Sequence, residues 1–273
     1  MPPGGARGAL GSCVVRPSPP IPLAPTGERT APGLDREGYW FARHEAAYSW
    51  IARTYARDLA GGLAVDAGSG EGYGAAMLAG PTSACLALEY DDLACRHAAA
   101  AYPDVASIRA NLCALPLRDT RVDALVSLQV IEHLWSLPDF LSECHRVLRP
   151  GGLIVVTTPN RLTFSPGLAR GAKPVNPFHV EEFDAEQVRM MLVNAGFADV
   201  EVLGLRHGAR IGDWESRHGS IVQAQVDAVL SGDWPAHLDA IVDSVTADDF
   251  LVSRDGIEDS CDLIGVALRG DAS

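Results

Sequence analysis

A chain of 273 residues with 47% hydrophobic content has room for one large domain, or for one domain with a sizeable insertion. Its net charge of −13, with no cluster among its 22 basic residues, argues against nucleic acid or an anionic membrane as partner, because both call for a basic face. No run of 18 apolar residues marks a membrane span, no apolar signal core opens the sequence, and six scattered cysteines without a C-x-x-C pair suit free thiols in a reducing cytoplasm.

Residues 1 to 34 are rich in proline and glycine, from Pro17 to Pro32, and read as a flexible arm ahead of a domain spanning 35–273. Thr26 to Thr30 is the part of that arm expected to fold back over the domain. From Tyr39 to Leu59 apolar and aromatic residues recur at three and four, which predicts a helix. Its aromatic stripe reads as core; Arg43 and His44 are its functional candidates, and a guanidinium suits a carboxylate ligand.

The stretch Leu63 to Gly74 organises the chain. A short apolar run ends in Asp66, glycines stand at 68, 70, 72 and 74, and an apolar segment from Ala75 continues. This predicts strand, glycine turn and helix, with backbone that comes close to a ligand and N–H groups that favour anionic atoms. Gly70-x-Gly72-x-x-Ala75, with Glu89 about 20 residues on, also fits a dinucleotide fingerprint. The turn therefore predicts a nucleoside cofactor on a doubly wound sheet and leaves its identity open.

Ala84–Leu88 reads as a second strand ending in Glu89, a carboxylate able to accept from both hydroxyls of a ribose. Asp91 and Asp92 cap the next helix, Val105–Arg109 is a third strand ending at Asn111, and Val122–Leu128 is a fourth, followed by Gln129 and Glu132-His133. Leu137–Leu148 is a helix stopped by Arg149-Pro150-Gly151-Gly152, and Leu153–Thr158 is a β-branched fifth strand. The rhythm gives an α/β, Rossmann-like sheet of seven strands with helices on both faces. Residues 159–183 form a long loop with Asn160, Arg161, Asn176 and His179, placed where such sheets bind ligands. A helix at 185–194 and a strand at 200–205 come next. The insertion at 207–261 holds two expected helices, 220–230 and 235–245, behind a charged front that includes Asp213 and Trp214 and reads as a solvated connector or a substrate lid. Leu263–Leu268 is the last strand, expected antiparallel because no crossover helix precedes it.

Taken together, Val65-Asp66-Ala67-Gly68-Ser69-Gly70-Glu71-Gly72, Leu115-Pro116-Leu117, Val122 to Ser127, Glu132-His133-Leu134 and Glu143 to Gly152 resemble the class I S-adenosylmethionine-dependent methyltransferases. The resemblance runs from about residue 40 to 205 and resumes at the last strand. It implies S-adenosyl-L-methionine as cofactor and decides against a dehydrogenase. By position it implies that Asp66, Gly68 and Gly70 line the methionine part, Glu89 holds the ribose, Asn111 faces the adenine amine where relatives carry an aspartate, and Gln129 lies beside the cofactor, with Arg43 a further cofactor candidate. Thr26 to Thr30, Tyr39-Trp40-Phe41, Gln129 to Leu134, Thr158 to Arg161 and Asn176 to His179 are also similar to bacterial O-methyltransferases of methylglucose and methylmannose polysaccharide biosynthesis.

A sugar hydroxyl must lose its proton as it attacks the methyl group. Two routes fit the residues. His133 is a general base beside Glu132; or Glu132, His133 and His179 hold a divalent metal ion that acidifies the hydroxyl, as the same Glu-His pair does in some relatives, although those often carry Glu where this chain has Gln129. Arg161, Asn176, His179, Asp213 and Trp214 are the expected substrate residues. A small-molecule or oligosaccharide acceptor, in the cytoplasm, completes the expectation. Methylation of a quinone, a lipid or a natural product, and cofactor binding without catalysis, are the alternatives.

Overall fold

The computed structural model describes residues 29–80, 82, 84–174 and 176–270. The expected flexible arm falls largely outside them; its described part, from Arg29, lies against the domain, where Thr30 is buried. The helix α1 (Gly38–Thr54) buries Tyr39, Arg43, Ala47 and Ile51 on one face, the stripe expected from the sequence. A short α2 (Ala56–Leu59) leads into β1 (Leu63–Ala67), and the glycine turn connects β1 to α3 (Tyr73–Ala79). Then come β2 (Ala84–Glu89), α4 (Asp92–Ala101), capped by the Asp91 carboxylate on Ala94 N–H, and β3 (Ala106–Arg109). The strand β4 (Val122–Leu128) is followed by a 3₁₀ turn at Ile131–His133 and by α5 (Leu137–Val147). Next are β5 (Leu148–Pro159), α6 (Arg161–Phe164), α7 (Ala185–Asn194) with an Asp184/Gln187 capping box, and β6 (Phe197–His207).

The sheet order is β3-β2-β1-β4-β5, then β8 (Asp262–Arg269), β6 and β7 (Phe250–Ser253). The first five strands run parallel; β8 is antiparallel to β5 and β6, the direction expected, although the helical insertion and β7 separate it from β6 and it runs the same way as β7. The fold is the Rossmann-like one expected. The sheet has eight strands because β7, inside the insertion, pairs with β6 at the edge. Strand order reverses between β1 and β4, so ligands are met at the C-terminal ends of these two strands.

Both sheet faces are covered. Leu153 and Val155 join the core beneath α1, while Ile154 and Val156 join the core beneath α5 and α7, following the two-residue period of a strand. The insertion is helical over α8 (Ala209–His218), α9 (Ile221–Ser231) and α10 (Ala236–Ser244), and its Ile211, Trp214, Ile221 and Val242 share the core of α1. Cys85, Cys95, Cys113, Cys144 and Cys261 are free thiols, and Cys13 lies outside the described residues. No helix among the described residues is long and apolar enough to cross a membrane.

Candidate active site

At the ends of β1 and β4 the backbone itself forms the floor. Gly70 has φ +50 and nothing within 4 Å of where a Cβ would stand, so the turn presents bare peptide. Gly68 has φ +85, and a Cβ there would collide with Val130. Gly70 donates its N–H to Glu89 Oε2 at 2.9 Å, and Asp91 N–H reaches Glu89 Oε1 at 2.8 Å, so the acid is fixed beside the turn. Asp66 lies beneath the turn, fully buried, and accepts from Tyr48 Oη at 3.1 and 3.2 Å. Burial pushes its carboxyl up to about 7. Asn111 is exposed and uses its Oδ1 on Cys113 N–H at 3.0 Å. Tyr90, the residue after Glu89, is an exposed aromatic at 69%.

A small cavity of about 60 Å³ lies over the turn, and one of about 440 Å³ opens beside it. Asp66 lines neither. Arg29, Thr30, His44 and Gln129 line both. His44 bonds Tyr73 Oη at 2.8 Å, and burial, with Arg43 beside it, lowers its pKa to about 3, so its ring is neutral. Arg43 lines the larger cavity, but its donors are committed to protein partners: it binds Asp262 through two nitrogens, both side chains buried, and reaches Gln129 Oε1 at 3.1 Å.

The larger cavity holds Glu132, His133 and His179, with ligand atoms all within 4.8 Å of one another. Glu132 is 1% exposed, accepts from Thr158 Oγ1 at 3.0 Å, and has its carboxyl pushed up by burial, against the pull of His133 and His179. His133 Nδ1 meets the Phe178 carbonyl at 3.0 Å, and His179 Nδ1 meets Glu182 Oε1 at 2.8 Å. A carbonyl and a carboxylate can only accept, so both rings carry a proton on Nδ1. Nε2 of His133 stands 3.9 Å from Glu132 Oε1, and Nε2 of His179 accepts from Asn176 at 3.1 Å. The long loop is pinned here by Val180 N–H on the Glu132 carbonyl at 2.7 Å.

The expected substrate residues separate. Asn176 and His179 line the cavity. Arg161 does not, because its guanidinium is held in a buried pair with Asp184 at 2.6 Å. Trp214 is 7% exposed in the core of the insertion, its indole on the His237 carbonyl, and Asp213 is exposed on α8 away from the wall. The insertion does reach the cavity, through Val222, Gln223 and Val226 of α9, with Trp40, Phe164, Glu37 and Glu182 from elsewhere. The α9 residues look like ordinary helix positions in the sequence.

A methyltransferase domain model matches residues 65–156. A probable S-adenosylmethionine-dependent methyltransferase of Mycobacterium tuberculosis is 47% identical over 257 residues, covering 92% of this chain and 91% of the relative. The chain belongs to the class I S-adenosylmethionine-dependent methyltransferases. A Mycolicibacterium smegmatis relative of the same description is 46% identical, over 92% of this chain and 96% of its own length. Among solved structures, a methyltransferase from Archaeoglobus fulgidus superposes at TM-score 0.57 and 15% identity, covering 85% of this chain and 97% of that one. One from Mesorhizobium loti gives 0.53 and 20%, covering 82% and 99%. A [4+2]-cyclase shares the fold at TM-score 0.52 and 19% identity, so the fold by itself does not set the reaction.

Proposed function

We propose that this methyltransferase transfers the methyl group of S-adenosylmethionine to a hydroxyl of a sugar or oligosaccharide, with His133 as general base. The observation that carries this reading is the convergence of Glu132, His133 and His179 on a cavity that adjoins the glycine turn. Gly68 and Gly70 would take the methionine part, Glu89 the ribose hydroxyls and Tyr90 one face of the adenine, with Asn111 at its edge. Asp66 would support the turn from below. The bare peptide at Gly70 and the fixed carboxylate of Glu89 are the features that fit this group.

Methyl transfer is mainly a matter of alignment. The acceptor hydroxyl would approach from the larger cavity, in line with the methyl group and the sulfur. Its proton would pass to Nε2 of His133, whose Nδ1–H stays on the Phe178 carbonyl. The imidazolium that forms would be stabilised by Glu132 Oε1, 3.9 Å away in the buried wall. The neutral ring of His44 adds no charge that would oppose the cofactor's sulfonium. Support for a sugar comes from the mixture of aromatic faces, Trp40 and Phe164, with Glu37, Asn176 and Gln223.

The three-residue cluster also favours a second reading, in which Glu132, His133 and His179 hold a divalent ion. Their Nδ1 contacts are of the kind that orient ligating histidines, although Asn176 would have to yield Nε2 of His179. Such an ion would make the hydroxyl more acidic. The test is transfer of labelled methyl to glucose and mannose oligosaccharides, before and after EDTA. Product that survives chelation supports the base; product lost to EDTA and restored by manganese or magnesium supports the ion. Transfer only to quinone or lipid acceptors overturns the sugar reading, and tight S-adenosylmethionine binding with no transfer to any acceptor supports the non-catalytic alternative.

A further inference from the structure

Gln129 stands where the two cavities meet, and it does so with φ +54. A non-glycine residue in that region is strained, and the strain persists only where the surroundings fix it. Here they do. Its backbone N–H bonds the Thr157 carbonyl at 3.0 Å. Its Oε1 accepts from Arg43 Nη2 at 3.1 Å, and its Nε2 donates to Thr157 Oγ1 at 3.1 Å and to Asp262 Oδ1 at 3.2 Å. Arginine can only donate and a carboxylate only accept, so the amide has one orientation. A glutamate at 129 would set a second carboxylate against Asp262.

Arg43 and Asp262 are themselves locked. They share two hydrogen bonds and are buried together. The guanidinium lies 5.4 Å from the Trp40 ring centroid and 4.9 Å from that of Phe164. Burial opposes its charge, and Asp262 more than restores it.

We propose that Arg43 is a positioning residue: with Asp262 it holds the Gln129 amide at the point where the methyl group passes, and it does not clamp the cofactor's carboxylate. This rests on the placement of the cofactor over the glycine turn. Pairing with Asp262 uses the Nε/Nη2 fork, and Gln129 Oε1 takes the other hydrogen of Nη2, so neither fork is left whole for a carboxylate ligand. The positive φ then has a purpose, since it aims the Gln129 side chain into the pair.

The test compares Arg43→Met and the doubly apolar Arg43→Met/Asp262→Leu with the wild-type chain. The single variant leaves Asp262 buried without its counter-charge and loses stability, whereas apolar replacement of both partners restores the fold. Calorimetric titration with S-adenosylhomocysteine and with methylthioadenosine, which lacks the amino-acid part, reads the carboxylate contact. The side-chain amide signal of Gln129, assigned through Gln129→Ala, reads the positioning. In the double variant we expect S-adenosylhomocysteine affinity within threefold of wild type, an unchanged preference over methylthioadenosine, and a Gln129 amide that has lost its protection from solvent exchange. A tenfold or greater loss of S-adenosylhomocysteine affinity with methylthioadenosine binding intact overturns the proposal, since Arg43 then touches the carboxylate. An unaltered Gln129 signal overturns it as well. A wild-type chain that binds neither compound overturns the cofactor placement itself, and the proposal with it.

Discussion

Asp66 lies near the end of β1, fully buried, with Tyr48 as its side-chain partner. Its pKa of about 7, against 3.8 unperturbed, means that the folded chain keeps a proton which the unfolded chain releases. Stability from this group is therefore present at low pH and is lost as pH rises from about 4 to 7. Replacing it by Asn removes that loss. We expect Asp66→Asn to raise stability at pH 8, by at most about 4 kcal/mol at about 1.4 kcal/mol per tenfold, and to leave it nearly unchanged at pH 4. Thermal unfolding at the two pH values checks the sign. The sequence shows an acid between an apolar run and a glycine turn, which is enough to mark a candidate site. It does not show whether the side chain faces the ligand or the core. The same limit applies to Arg43, Arg161 and Trp214, whose partners are distant in the chain: Asp262 lies 219 residues from Arg43. Motif residues at Gly70, Glu89, Glu132 and His133 were legible because short-range spacing places them at strand ends.

The insertion is the element least legible in advance. Its front, 207–218, carries enough charge to read as a connector, yet it folds as α8, with Ile211 and Trp214 in the core and the charged residues outside. His207 ties it to α1 and to Cys261, the residue before β8. This ring bonds Tyr39 Oη at 2.7 Å, Cys261 Sγ at 3.1 Å and Glu215 Oε2 at 2.9 Å. Burial disfavours its charged form, but Cys261 and Glu215 outweigh that and raise its pKa to about 9. The folded pKa is above the unfolded value near 6.5, so its stabilisation is complete below that pH and is lost as pH rises through 9. We expect the wild-type chain to lose up to about 3 kcal/mol between pH 6.5 and 10 through this group. His207→Gln should be less stable at pH 6 and should show a flatter decline, as measured by urea unfolding across that range. An equal slope in both would mean that His207 does not set this dependence. The edge strand β7 was also hidden, because four residues between turns carry no period long enough to read.

Over the whole molecule, the βα rhythm was sufficient for the sheet, its parallel strands and the crevice between β1 and β4. Composition could add little about the acceptor, since the wall of the larger cavity is assembled from α1 and the segment before it, from the turn after β4, from β5, α6 and α9, and from the loop near His179. Those contributions meet only in three dimensions. The proposed chemistry turns on one proton, which leaves the acceptor through His133. Single-turnover transfer of labelled methyl to the oligosaccharide panel, by wild type and His133→Ala each saturated with S-adenosylmethionine, isolates that step. We expect equal cofactor affinity and a rate at least about 100-fold lower in the variant, the usual cost of losing a general base. An undiminished rate in His133→Ala would mean that His133 does not take the proton.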